Sequence, residues 1–161
     1  MKLTGKLKVM VVSNSAFKAQ DLQGLVMRGY LVWLMEDSAE LKPGVTLKCQ
    51  VLDYVARKHA HVIRSTHAAE LHTLLGAISQ GALLNCCFTE IYWGAVPATE
   101  LLKLAYAQKQ ALPMDAGIDA RAVFDSVTAE NVKTPADRRL LLHALAVREF
   151  LDTGRLRRLF W

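Results

Sequence analysis

The chain has 161 residues, which is the length of one domain and enough to bury a single hydrophobic core. Hydrophobic residues make up 52% of the sequence and charged residues 22%, a balance typical of a folded globular domain, which argues against low-complexity disorder. The net charge of +5 is compatible with a nucleic-acid partner but does not require one.

The first third of the chain predicts three β-strands. Residues 7–12 first alternate and then become continuously apolar, and three turn-forming polar residues end that run. Residues 25–35 are rich in Val, Leu, Tyr and Trp, and residues 45–55 alternate between polar and apolar side chains. Because the links between these strands are short, we expect an antiparallel meander.

The remainder predicts helices with two further strands. Ser65 or Thr66 caps a long helix, in which apolar side chains recur at helical spacing from residue 71 to residue 83. The later elements are a helix at 98–108, a strand at 111–118, a helix at 120–129, a helix that begins at 134 and continues through 140–151, and a strand at 156–161. This order predicts a mixed sheet with helices packed on it, in one domain over residues 1–161.

Several simple features bear on the environment of the chain. Apolar runs such as 7–12 and 31–35 are too short to span a bilayer, so no membrane insertion is expected. The N-terminus lacks the apolar stretch of a secretory signal peptide. The cysteines form no C-x-x-C pair, and we expect small buried thiols in an intracellular, reducing compartment: Cys49, Cys86 and Cys87. We expect core positions for the large aromatic residues Trp33, Tyr92, Trp93, Tyr106 and Trp161.

Three polar residues stand at the ends of predicted elements. Asn14 follows the first strand, Glu70 lies one turn into the long helix, and Asp119 follows the fourth strand. Strand ends and the start of an adjacent helix converge at one edge of an α/β sheet. Carboxylates there would be ligands for Mg²⁺, and two such ions about 4 Å apart can promote phosphodiester cleavage. From spacing alone, Glu70 could equally be a first-turn acid and Asp119 a helix cap.

Four segments, in order, resemble the ribonuclease H domain of copia-type retroelement polyproteins. Residues 12–17 (Val-Ser-Asn-Ser-Ala-Phe) resemble its first-strand signature, and residues 57–71 resemble the segment in which a Ser-Thr-x-Ala-Glu-like helix start presents a catalytic Glu. Residues 117–126 resemble the segment in which Asp follows the fourth strand, and residues 133–151 resemble the helix before the last strand. The resemblance implies a ribonuclease-H-like three-layer α/β fold with a mixed five-stranded sheet. In that fold the first three strands are antiparallel, the last two run parallel to the first, and helices pack on both faces.

The resemblance also implies a catalytic site, from which this sequence departs. Glu70 and Asp119 match two of the family's catalytic carboxylates, whereas Asn14 stands where the family has Asp. An amide oxygen can coordinate a cation but brings no charge. The family's fourth acid comes from a segment that would follow residue 161. We therefore expect Glu70 and Asp119 to bind metal weakly, the family's Mg²⁺ to be absent, and phosphodiester cleavage to be negligible.

A basic cluster precedes the long helix. The resemblance favours contact between this cluster and a nucleic-acid backbone, and the alternative is a solvated link between strand and helix; the residues are Arg57, Lys58, His59, His61 and Arg64. A second basic group, Arg155, Arg157 and Arg158, is expected to be solvated on an exposed final strand.

Two functional hypotheses follow. The sequence favours a degenerate retroelement-derived domain, catalytically inactive, that binds RNA or an RNA·DNA hybrid or serves as a structural component of a larger assembly with other proteins, such as a ribonucleoprotein. The alternative is a ribonuclease H domain of a retroelement polymerase, which hydrolyses RNA in RNA·DNA hybrids by a two-metal mechanism.

Overall fold

The computed structural model describes residues 3, 5–16, 26–37, 44–59, 63, 65–130 and 137–161. The described residues form, in chain order, strands β1 (Leu7–Ala16), β2 (Met27–Glu36) and β3 (Cys49–Lys58), helices α1 (Thr66–Trp93) and α2 (Ala98–Tyr106), strand β4 (Met114–Ile118), helices α3 (Arg121–Thr128) and α4 (Arg139–Asp152), and strand β5 (Arg158–Phe160). The number and order of these elements are those that the sequence predicts.

The five strands form one sheet in the order β3-β2-β1-β4-β5. Strand β2 pairs antiparallel with both β1 and β3, whereas β4 runs parallel to β1, and β5 runs parallel to β4. The central place of β1 agrees with its continuous apolar run, because a strand with neighbours on both sides is buried. The predicted mixed five-stranded sheet, with β1, β2 and β3 antiparallel and β4 and β5 parallel to β1, is confirmed.

Helix α1 covers one face of the sheet. The Ser65 side chain accepts a hydrogen bond from the backbone N–H of Ala68 at 3.1 Å and so caps the helix, as predicted. The helix approaches the sheet closely at Gly81, where an added Cβ atom would lie 2.6 Å from a methyl group of Val11. Only glycine fits there without a shift of its neighbours. Five apolar side chains of the helix are fully buried in the core: Ala69, Leu71, Leu74, Ala77 and Ile78.

By length and composition alone, α1 could cross a membrane, although the apolar runs of the sequence did not predict a span there. The helix contacts β1, β2 and β4, and its buried side chains belong to the hydrophobic core. This is the packing of the core helix of a globular domain.

Several predicted boundaries were wrong. β1 continues through Ala16, because its register with β2 extends past the polar residues that were expected to end it. β3 begins at Cys49 instead of residue 45, and β4 begins at Met114, after a proline that cannot donate to the ladder. The predicted start of the fourth helix at residues 134–136 lies outside the described residues.

The expected burial of cysteines and aromatic residues was largely wrong. Cys49 and Cys87 are exposed and Cys86 is half-buried. Cys49 begins the edge strand β3, and Cys87 lies between Leu83 and Ile91 at four-residue spacing on the exposed side of α1. Trp33 is half-buried, but the other aromatic side chains are at least half exposed, because most of them lie in the last turn of α1 and in the weakly buried α2: Tyr92, Trp93, Tyr106 and Trp161.

Candidate functional site

The parallel pairing of β1 with β4 brings two of the candidate residues together. The register ends with Ser13 opposite Ile118, so the next residues, Asn14 and Asp119, are neighbours at the carboxyl edge of the sheet. Both side chains are exposed. Asn14 and Asp119 therefore occupy neighbouring, exposed positions at this edge of the sheet.

Glu70 reaches the same edge from the helix layer. The helix cap at Ser65 places Glu70 just over one turn into α1, with only 5% of its surface exposed. The backbone N–H of Ser15, near the end of β1, donates a hydrogen bond to Glu70 Oε1 at 3.2 Å. The second carboxylate oxygen, Oε2, is buried and has no hydrogen-bond partner among the described residues. One buried acceptor of this site is thus unsatisfied.

The two carboxylates also interact electrostatically. Burial raises the pKa of Glu70, the hydrogen bond from the backbone of Ser15 opposes that rise, and the negative charge of Asp119 adds to it. Glu70 is not an ordinary first-turn acid, since the first turn of α1 contains no acidic residue. Asp119 is not the cap of α3, because Ala120 occupies that position and no side chain caps the helix. The simpler explanations of both acids therefore do not apply.

The donor set does not fit a pair of divalent cations. In the described ranges, no three His, Cys, Asp or Glu side chains are grouped so that they could hold a metal ion. The site offers the carboxylates of Glu70 and Asp119 with the neutral amide of Asn14. Two negative charges would leave two divalent ions poorly compensated, even though Glu70 Oε2 lacks a partner.

The described members of the predicted basic cluster do not share one surface. Arg57 and Lys58 are consecutive residues of β3, so their side chains project from opposite faces of the sheet. His59 does not fit the expected role in phosphate contact, because it is buried and its Nε2 atom lies 3.1 Å from Thr73 Oγ1 of α1. His61 and Arg64 lie outside the described residues.

The second basic group is structural, contrary to expectation. Arg157 and Arg158 both donate hydrogen bonds to the fully buried carboxylate of Asp115, at 2.8 Å from each Nη2 atom. Lys8 Nζ lies 3.3 Å from the same carboxylate, and Arg157 also binds Asp37 at 2.7 Å. Although burial raises the pKa of Asp115, the hydrogen bonds from the two arginines lower it to about 2. The third member of the group packs over aromatic rings: Arg155 lies 4.2 Å from the ring centroid of Phe150.

Sequence reasoning missed one basic residue near the site. Arg28 of β2 lies opposite Ser15 of β1 on one side and opposite Arg57 of β3 on the other. Its Nε atom is buried without a hydrogen-bond partner in the part of the chain that the structure describes. Arg28 is the only basic residue of β2, and the sequence gives no sign of its place beside the site, because that depends on the strand register.

Comparison of the sequence with protein-family models and with curated proteins gives no match. Several solved structures are similar in fold, including the following two. The N-terminal RNase H domain of Rv2228c from Mycobacterium tuberculosis, solved as a fusion with maltose-binding protein, aligns with a TM-score of 0.54 and 13% identity, over 97% of this chain and 81% of that one. RNase H1 from the halophilic archaeon Halobacterium salinarum NRC-1 aligns with a TM-score of 0.52 and 10% identity, over 95% of this chain and 82% of that one.

The chain has a ribonuclease-H-like fold. At such low identity the likeness concerns the arrangement of strands and helices, and the chemistry has to be argued from the residues of this chain. In the ribonuclease-H-like sheet, Asn14 and Asp119 occupy neighbouring positions at the carboxyl edge of β1 and β4, and Glu70 contacts the backbone of Ser15 at the same edge.

Proposed function

We propose that this chain is a degenerate, retroelement-derived ribonuclease-H-like domain that binds RNA·DNA hybrids and cleaves them at a negligible rate, alone or within a larger ribonucleoprotein assembly. One observation carries the proposal: Asn14, a neutral amide, stands beside Asp119 at the sheet edge to which Glu70 is also held. The ribonuclease-H-like fold and the copia-type sequence resemblance both support an origin in hybrid-processing domains.

The loss of activity follows from the charge of the site. Hydrolysis of a phosphodiester requires stabilisation of the negative charge that develops on the attacking and leaving oxygens. In the proposed inactive state, Asn14 supplies an amide where the resemblance implies a carboxylate, and Glu70 is buried with a raised pKa. Such a site contacts a backbone but does not assemble the charges that cleavage needs.

The binding half of the proposal rests on charge. The chain carries a net charge of +5, and Arg28 and Arg57 lie in the same strand register as Ser15, which contacts Glu70. Basic side chains supply most of the affinity of proteins for a nucleic-acid backbone. This edge of the sheet is therefore suited to hold a phosphate backbone beside the inactive site.

The test combines binding and cleavage. Fluorescence anisotropy with a labelled RNA·DNA hybrid, and with a DNA duplex of the same sequence, measures affinity at physiological salt. Cleavage of the same hybrid in Mg²⁺ is then followed for the wild type and for Asn14→Asp. We expect the wild type to bind the hybrid without cleaving it, and Asn14→Asp to gain measurable cleavage. The matched control is Asn14→Asp with Glu70→Gln, which should again be inactive.

The alternative function, hydrolysis of RNA in hybrids, is favoured by the retention of Glu70 and Asp119 at one edge. The same assay decides between the two. Robust cleavage by the unmodified chain would establish the hydrolase and overturn the proposal. Failure of the wild type to bind the hybrid would overturn the nucleic-acid role.

A further inference from the structure

Two arginines lie side by side on the face of the sheet that α1 covers. Arg28 of β2 and Arg57 of β3 are directly opposite each other in the antiparallel register, so their side chains leave the same face. The Nη1 atom of Arg28 lies 3.9 Å from the position that a Cβ atom on Gly76 of α1 would occupy, so the guanidinium lies close to α1. Arg57, on the edge strand, is exposed.

The pair has no counter-charge from the described residues. No described carboxylate lies within ion-pair distance of either guanidinium, and Arg28 Nε is buried without a hydrogen-bond partner. The acid on the same face of β3, Asp53, accepts a hydrogen bond from the backbone N–H of Tyr54. Like charges directly opposite each other destabilise a sheet, and an unsatisfied buried donor adds to that cost. The sheet therefore keeps an arrangement that the fold alone does not favour.

The pKa of a nearby tyrosine, Tyr30, depends on both positive charges. Burial and the charge of Asp53 raise the pKa of Tyr30, whereas the charges of Arg28 and Arg57 both oppose the rise. The half-buried Tyr30 lies in the next row of the same face, opposite Ser13. The two guanidinium groups thus create a local positive field beside the site.

The pair is joined to the site by the sheet itself. Ser15, Arg28 and Arg57 form one continuous cross-strand row, and the backbone N–H of Ser15 contacts Glu70. Neighbouring strands are about 4.8 Å apart, so the backbones of Arg28 and Arg57 lie roughly 5 and 10 Å from the backbone of Ser15. An arginine guanidinium binds phosphate oxygens through paired N–H donors, and this row places two arginines beside the same edge of the sheet.

We propose that Arg28 and Arg57 together bind one backbone phosphate of the RNA·DNA hybrid whose neighbouring phosphodiester lies at Glu70 and Asp119. This inference rests on the proposed function, because the ligand is the same hybrid. It adds a specific contact that the sequence did not reveal.

The test is the salt dependence of hybrid binding. Anisotropy titrations between about 50 and 200 mM salt give the slope of log Kobs against log salt concentration, whose magnitude decreases by about 1 for each phosphate that the protein no longer neutralises. We expect that decrease for Arg28→Gln and for Arg57→Gln, with a several-fold weaker affinity. Lys48→Gln is the matched control, because Lys48 is exposed and precedes β3 at its opposite end, and it should leave the slope unchanged. Arg28→Lys should keep the slope but bind more weakly, since an ammonium cannot bind a phosphate through a planar fork.

The outcomes separate the two proposals. If the wild type binds the hybrid and both glutamine variants keep its slope and affinity, the phosphate site is wrong and the proposed function stands. If the wild type does not bind the hybrid, both are wrong. Melting temperatures by circular dichroism check that the variants are folded, and the exposed position of Arg57 keeps the test valid should Arg28→Gln unfold.

Discussion

The acidic residues at the two ends of strand β4 differ in their charged and hydrogen-bonding partners. At its start, Asp115 is fully buried, and the cationic groups of Lys8, Arg157 and Arg158 all lie within hydrogen-bond or ion-pair distance of its carboxylate. Past its other end, Asp119 is exposed, and the buried Glu70 nearby has an oxygen without a partner among the described residues.

This difference separates charges that hold the fold from charges that are available to a ligand. A buried carboxylate surrounded by cations links β1, β4 and β5, and its removal leaves those cations uncompensated. Unsatisfied polar atoms grouped at the edge of a sheet have no such structural role and point to a binding site. Both groups consist of acidic and basic residues, so the sequence alone does not distinguish them.

The largest expected effect is at the start of β4, where the carboxylate of Asp115 is surrounded by cations. Asp115→Asn should lower the free energy of unfolding by about 3–5 kcal/mol, because it leaves the ammonium of Lys8 buried without its counter-charge. Urea unfolding followed by circular dichroism measures the change. The double variant Lys8→Met with Asp115→Leu is the control, and it should be less destabilised, since it buries no unpaired ammonium. A loss below about 1 kcal/mol in Asp115→Asn would mean that the cluster does not hold the sheet together.

We also expect the ion pairs of Asp115 to make the stability of the protein depend on acidity. The pKa of Asp115 is about 2 in the folded protein against an ordinary value of 3.8, so its stabilisation is complete above the ordinary value and is lost as the pH falls through about 2. The loss is on the order of 2 kcal/mol. Hydrogen bonding to Arg157 also lowers the pKa of Asp37, which contributes in the same direction. Unfolding experiments from about pH 5 to pH 2 should show this loss in the wild type and a smaller one in Asp115→Asn.

The sequence was sufficient for the architecture. The apolar run of residues 7–12 and the cap at Ser65 each specify an element through local physical chemistry, and the order of elements then predicts the sheet. The placement of Asn14, Glu70 and Asp119 at one edge of the sheet was also predictable, because strand ends and helix starts converge there.

The partners of the charged residues were not predictable. Arg157 and Arg158 were expected to be solvated because their partner, Asp115, lies more than 40 residues away and is brought to them only by the pairing of β4 with β5. The pairing of Arg28 with Arg57 likewise depends on the register between β2 and β3, and one residue of slip would place them on opposite faces.

A smaller effect on stability is expected at the other end of β4, where Glu70 has an oxygen without a partner among the described residues. Glu70→Gln should raise the free energy of unfolding at neutral pH by on the order of 1 kcal/mol, because the wild type buries a carboxylate with an unpartnered oxygen. The sign follows from the raised pKa of Glu70: the folded state binds its proton more tightly than the unfolded chain, so stability falls as the pH rises above the ordinary value of 4.5. The gain of the variant should therefore vanish below that pH. Equal stabilities at neutral pH would show that the burial of this carboxylate costs nothing.

The smallest effect concerns the arginine pair and has an unusual sign. Most substitutions of half-buried residues destabilise a protein, but Arg28→Gln should stabilise the free protein by about 0.2–1 kcal/mol, because it removes a like charge directly opposite Arg57. The gain should shrink in high salt, which screens the exposed Arg57, and Lys48→Gln should show no comparable gain. Chemical unfolding in low and high salt measures both. A clear destabilisation by Arg28→Gln in both salts would show that this arginine serves the fold, as Arg157 does, and the distinction between the two ends of the sheet would then no longer hold for it.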